Sequence, residues 1–118
     1  MEILQQLKNF IINNDIDSAY KIIMETEKQY RDKSIYWKLK GMLFYNLKKY
    51  ETAITCYKKA IDIQYDDVDA YFNLAYIHKL INRNLESILY SNIAFRYATD
   101  SETKNKLKIY ILKIKNGI

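Results

Sequence analysis

The side chains best suited to nucleophilic or metal chemistry are one histidine, His78, and one cysteine, Cys56. A structural zinc site takes four such ligands, and a thiol nucleophile needs a base beside it; one of each supplies neither. Cys56 has no adjacent base and reads as a small structural residue, and His78 as a packed, hydrogen-bonded one. Carboxylates gather at Asp15 and Asp17 and at Asp66 and Asp67, where short acidic side chains between helices cap backbone N–H groups rather than exchange protons. With glycine only at 41 and 117, no phosphate-cradling loop can be built. The inventory predicts no enzyme, no cofactor and no metal.

A chain of 118 residues is long enough to bury a core without staples. Its lone cysteine cannot form an internal disulfide, and the opening Met1-Glu2 carries neither a basic leader nor a cleavage pattern. No uncharged apolar run approaches the ~18 residues of a spanning helix. The expectation is a cytoplasmic protein without a membrane span. The formal net charge is +5, yet residues 1–100 hold 14 Lys and Arg against 13 Asp and Glu. The excess lies in Lys104, Lys106, Lys108, Lys113 and Lys115, which face only Glu102. Arginine, the guanidinium fork of dedicated nucleic-acid readers, occurs only at 31, 83 and 96. The charge therefore reads as a solvated face, and nucleic acid is not the expected partner.

The chain must position its side chains with helices, since it has no proline and is 49% hydrophobic. It also repeats. Ala19, Ala53 and Ser87 are spaced by 34 residues, as are Thr26, Ala60 and Ala94. Leu7, Gly41 and Ala75 keep the same interval, followed by Ile3, Trp37 and Tyr71, and by Phe10, Phe44 and His78. Five columns without an insertion define a period that one supersecondary unit must fill. In the middle unit, Trp37 to Leu47 and Tyr50 to Ile63 each carry apolar residues three and four apart, as amphipathic helices do. Leu47-Lys48-Lys49-Tyr50 joins them. A helical glycine costs about 1 kcal/mol relative to alanine, so Gly41 predicts a close approach to the second helix near Ala53, with Trp37, Phe44, Tyr50 and Tyr57 around it.

This unit resembles the tetratricopeptide repeat: Trp37, two residues, Lys40-Gly41, two residues, Phe44, then Ala53, three residues, Tyr57. It departs at Lys40, where the family has leucine, and at Tyr65, where proline is usual. The resemblance extends from residue 1 to about 101. It implies an all-α, right-handed α-solenoid: one domain over 1–118, with repeats near 1–33, 34–67 and 68–101 and a seventh, capping helix at 102–116. Helices are expected near 2–13, 16–30, 34–47, 50–64, 68–81, 84–98 and 102–116. Asp15, Ser34, Asp67 and Asp100 or Ser101 stand at helix starts.

The resemblance further implies that the first helix of each hairpin lines a concave groove holding a peptide or helical segment of a partner protein. On the middle hairpin Lys38, Met42 and Tyr45 share a face about 100° from Trp37, Gly41 and Phe44. The same stripe gives Leu4, Lys8 and Ile11 one period earlier and Phe72, Tyr76 and Lys79 one period later, with Leu39 and Asn73 alongside. These eleven residues are the candidate partner-binding groove, apolar and edged by lysines that favour acidic flanks. The Lys, Arg and Asn set with which some family members clamp a C-terminal carboxylate is not reproduced at the corresponding positions.

In the last helix Leu107, Tyr110, Ile111 and Ile114 share a face fit to cover the third hairpin, while Ile109 and Leu112 point away among lysines and allow self-association or a neighbouring domain. Two alternatives to a free scaffold stand beside it. One is an accessory region of a larger cytoplasmic enzyme, such as a bacterial glycosyltransferase; the other, weaker, is an RNA-binding helical repeat.

Overall fold

A computed structural model describes residues 2–117. Seven helices follow one another: α1 (Glu2–Ile12), α2 (Ile16–Tyr30), α3 (Ser34–Asn46), α4 (Tyr50–Ile63), α5 (Val68–Leu80), α6 (Asn84–Tyr97) and α7 (Ser101–Lys115). No strand occurs among the described residues. Each expected helix is present, its ends within about two residues of the expected bounds.

Asp15 begins α2 by accepting from the Ser18 amide and hydroxyl, at 3.3 and 2.9 Å. Asp67 caps α5 through the Ala70 amide at 3.1 Å, and Asp100, not Ser101, caps α7 through the Thr103 amide at 2.8 Å. For α3 the cap position is Lys33, which makes no side-chain cap bond; Ser34 is already helical. Lys33 reaches that position in an extended conformation, one residue earlier than the polar side chain suggested.

The three helix pairs turn by one device. Asn14, Lys48 and Asn82 all have positive φ, at 59°, 60° and 63°, and they recur at the 34-residue period. The next amide in each turn donates to the carbonyl five residues back: Asp15 to Phe10 at 2.8 Å, Lys49 to Phe44 at 2.9 Å and Arg83 to His78 at 2.8 Å. This is the left-handed helix stop that usually takes glycine and tolerates asparagine. At Lys48 a long side chain occupies it, where the left-handed region costs an L-residue about 1–2 kcal/mol. Lys48→Gly is therefore expected to stabilise the chain by about 0.5–1 kcal/mol in urea titration, after allowing for glycine's freedom when unfolded. Lys48→Ala, which keeps the strained Cβ, should leave the midpoint nearly unchanged.

A second recurring bond closes the connections into α3 and α5. The Trp37 indole Nε1 donates to the Arg31 carbonyl at 2.8 Å, and one period later the Tyr71 hydroxyl donates to the Tyr65 carbonyl at 2.7 Å. With Tyr65 in place of proline, an aromatic donor from the following helix fixes the turn instead.

The chain forms two compact units, Met1–Ile63 and Gln64–Ile118. In the first, Leu4, Leu7 and Ile11 of α1 meet Ala19 and Ile23 of α2 and Tyr36, Leu39 and Leu43 of α3 in one buried cluster. Along the α3–α4 hairpin Gly41 faces the ring of Tyr57: a Cβ there would lie 2.7 Å from Cε2 and 2.9 Å from Cδ2. The close approach is thus a ring laid on bare backbone, with Ala53 fully buried on the same helix as Tyr57. Lys40 holds the leucine position of the repeat by pairing its Nζ with Glu27 Oε1 at 2.8 Å and crossing the Trp37 ring at 4.9 Å; Lys59 approaches the same ring at 5.5 Å. That bond from Lys40 holds the Glu27 carboxyl below its ordinary range.

In the second unit α5 and α6 share an aromatic string. Tyr65 meets Tyr97 edge-on at 5.9 Å, Tyr97 stacks on Tyr71 at 5.9 Å, Tyr71 on Tyr90 at 6.4 Å, and Tyr90 on His78 at 5.4 Å. Ser87, buried in the small-residue column, donates to the Ala75 carbonyl at 2.7 Å, so its hydroxyl is satisfied across the helix pair. Helix α7 packs on α6 with Leu107 and Ile114 buried and Tyr110 and Ile111 half-buried, while Ile109 and Leu112 stay about half exposed.

Candidate functional site

The first helices of the hairpins present the candidate residues, and each unit is taken separately. In the first unit Lys8 is exposed on α1, and Lys38, Met42 and Tyr45 are half-buried along one stripe of α3. The Tyr45 ring lies 5.9 Å from that of Tyr50, at a tilt of 55°. Leu4, Ile11 and Leu39 belong elsewhere: they are 3%, 1% and 3% exposed and sit inside the hydrophobic cluster. The correction has a simple cause. In α1 the run Leu4, Leu7, Ile11 is itself a core-facing i, i+3, i+7 stripe, and in α3 Leu39 shares its face with Tyr36 and Leu43. Shifting the middle hairpin's stripe by one period therefore placed the core side chains Leu4 and Ile11 on the surface, and Leu39 was set beside that stripe although it lies on the core face of its own helix.

In the second unit Phe72 and Tyr76 stand one turn apart on α5 and are 37% and 40% exposed. Asn73, beside them, donates from Nδ2 to the Asp69 carbonyl at 2.8 Å, so its amide is engaged in its own helix; Lys79 is half-buried. Phe72 meets Tyr110 of α7 at 5.5 Å. Burial pushes the Tyr110 phenol above its ordinary range, the nearby Ser87 hydroxyl pulls it back, and Tyr76 adds to the rise.

Phe72 also forms one wall of a cleft of about 400 Å3 between the start of α5, the end of α6 and the start of α7. Val68, Tyr97 and Leu107 make its apolar lining, and Asp69, Asp100 and Lys106 bring charge to it. Such a hollow takes an apolar side chain and orients it with a few polar groups. Sequence reasoning did not find it, because α7, although it falls 34 residues after α5, shows in the sequence only a face fit to cover the third hairpin, and the cleft needs that helix. Lys106, which lines it, pairs with Glu102 at 3.2 Å in an exposed i, i+4 bridge.

Reactive chemistry has little to work with here. Cys56 is buried, and burial pushes its thiol to about 11. His78 is 4% exposed beneath Tyr90. Among the described residues no group of three or more His, Cys, Asp or Glu side chains could hold a metal ion, and no helix is long and apolar enough to cross a membrane.

Three helix pairs with one turn geometry repeated at 34 residues define an all-α helical-repeat fold. Comparison with known proteins names the repeat. The sequence profile of the TPR repeat family matches residues 41–81. The chain superposes on the type III secretion translocator chaperone SycD of Yersinia enterocolitica with a TM-score of 0.89 and 13% identity, over 98% of this chain and 83% of that one. On the TPR2B domain of yeast Sti1, solved in complex with pHsp70, the TM-score is 0.84 at 14% identity, with both chains fully covered. Residues 41–81 thus match the tetratricopeptide-repeat family, and the whole chain shares the fold of those two structures. It is also 31% identical over 81 residues to the Homo sapiens protein O-mannosyl-transferase TMTC3, and 30% identical to its Mus musculus counterpart. Those 81 residues are 69% of this chain, which spans 9% of the length of either transferase.

Proposed function

We propose that this chain is a protein-interaction scaffold, its repeats near 1–33, 34–67 and 68–101, which holds a peptide or helical segment of a partner protein against the exposed faces of its first helices. The observation that carries the reading is the pair Phe72 and Tyr76, two large rings left exposed a turn apart beside an apolar cleft. Exposed rings next to a hollow are what an apolar anchor of a partner requires. The Sti1 domain, similar in fold, was solved with a protein partner, which supports the same reading. In the first unit Met42 and Tyr45 line the same stripe of α3, both half-buried. Lys8, Lys38 and Lys79 favour acidic flanks on the ligand, each pair contributing only about 0.2–1 kcal/mol, so they set orientation more than strength. A reducing cytoplasm suits the single thiol.

The test is capture from a native cell extract by the wild-type chain and by Tyr45→Ala/Tyr76→Ala. The double variant should lose its partner while its circular dichroism remains helical; undiminished capture would discard the reading.

A second reading, an accessory repeat region of a larger enzyme, is favoured by the 81-residue match to the O-mannosyl-transferases. Sequencing the reading frame beyond residue 118 decides it: a catalytic domain in frame supports the accessory role, and a stop codon removes it.

A further inference from the structure

We propose that the second unit carries another docking face, on the outer side of α6 and α7, which takes an acidic amphipathic helix of a partner protein. Internal repetition isolates it. Leu85 and Leu89, one turn apart on α6, are 81% and 55% exposed. One and two periods earlier their places are held by Glu51 and Thr55, and by Asp17 and Lys21, all exposed. The repeat therefore folds with polar groups at these positions, and leucine is not required there by the core.

The leucine stripe runs toward a cleft of about 240 Å3 between the two helices, lined by Asn92 and Phe95 of α6 and Ile111 and Leu112 of α7. Leu112 is 52% exposed and, two residues from Tyr110, lies about 160° round the helix from the side that meets Phe72. This face is thus separate from the one assigned above. A row of exposed leucines ending in an inter-helix cleft is the shape that receives the i, i+4, i+7 anchors of a helix.

Charge selects the occupant. Helix α7 has five lysines and one acidic residue, Glu102, which is paired with Lys106. Lys108 and Lys115 stand at the cleft itself, and Arg96 extends the positive rim along α6. A second copy would bring the same positive surface and be repelled, whereas glutamates flanking the anchors of a partner helix would meet Lys108 and Lys115 of α7 on one side and Arg96 of α6 on the other.

The experiment titrates the 15N-labelled full chain with a synthetic amphipathic helix bearing leucine on one face and glutamate on the other. Saturable shifts at the amides of Leu89, Asn92 and Leu112 are expected, weakened by salt. Leu89→Ser/Leu112→Ser, both at exposed positions, should reduce affinity at least about tenfold with helicity unchanged. Lys108→Glu/Lys115→Glu should shift preference to the version of the peptide with lysine in place of glutamate. Four results would each overturn the proposal: no saturable binding, equal binding of the lysine peptide to the wild type, shifts centred on Phe72 and Tyr76, or recruitment to phosphatidylserine vesicles without peptide binding. A concentration-dependent dimer dispersed by Leu112→Ser would also overturn it, in favour of a second copy.

Discussion

Adding a single methyl group at Gly41 is expected to loosen the first unit, although alanine is the better helix former. Helix propensity alone favours Gly41→Ala by about 1 kcal/mol. Against it stands the Tyr57 ring, whose Cε2 would be 2.7 Å from the new carbon. Tyr57 is 3% exposed, so its ring has no solvent to retreat into and must displace neighbours. Overpacking of this kind costs about 1–3 kcal/mol, which leaves a net loss of roughly 1 kcal/mol for alanine. Gly41→Val adds two further methyls and recovers less propensity, and a loss near 3 kcal/mol follows. Urea unfolding followed by circular dichroism measures both. In a Tyr57→Leu background the clash is relieved, and Gly41→Ala should become neutral or stabilising. A wild-type chain stabilised by Gly41→Ala would show that the ring is not seated on the glycine.

Tyr36 is the other position where one side chain carries a large share of the first unit's stability. It is fully buried, and its hydroxyl donates to the Ile23 carbonyl of α2 at 2.8 Å, tying the second hairpin to the first. Tyr36→Ala should cost about 3–5 kcal/mol, mostly through the cavity it opens. Tyr36→Phe keeps the ring and removes one hydrogen bond, for about 1–2 kcal/mol. The pair also differs in alkali. Burial, with Glu27 and Cys56 close by, drives the Tyr36 phenol well above its ordinary 10.0. A raised pKa means that the folded state keeps the proton which the unfolded state releases. Stability from this group is therefore complete below pH 10 and falls as pH climbs beyond it, by about 1.4 kcal/mol per unit for each such tyrosine. Tyr36→Phe should flatten that alkaline limb. Burial also raises Tyr90 and Tyr110, so some slope will remain in the variant. An alkaline limb unchanged by Tyr36→Phe would place the titration elsewhere.

The 34-residue period made the helices legible because each column records a contact that recurs. Ala19, Ala53 and Ser87 are all fully buried. Gly41 announced a close neighbour, and of the four rings expected around it, Tyr57 is the one that lies against the glycine. The turns were also written in the sequence, in Asn14, Lys48 and Asn82, but the lysine hides the pattern from a search for glycine. Where columns were assumed to play one role in every hairpin, the reading failed. Leu4 and Ile11 share the face of α1 that packs with Ala19 and Ile23 of α2 and Tyr36, Leu39 and Leu43 of α3. The cleft beside Phe72 depends on α7, which keeps the 34-residue spacing from α5 but puts Asn105, Ile109 and Leu112 in the repeat columns, so the columns do not announce it.

Cys56 lies on α4 at 3% exposure, its sulfur kept protonated by the same enclosure that hides it. Alkylation needs an ionised sulfur and an open path, and the folded first unit withholds both. The chain thus contains its own clock. The rate at which iodoacetamide adds to this one atom counts how often α4 parts from its neighbours, and a single adduct on a 14.2 kDa chain is easily weighed. Opening could be timed without an engineered label, with or without a bound guest.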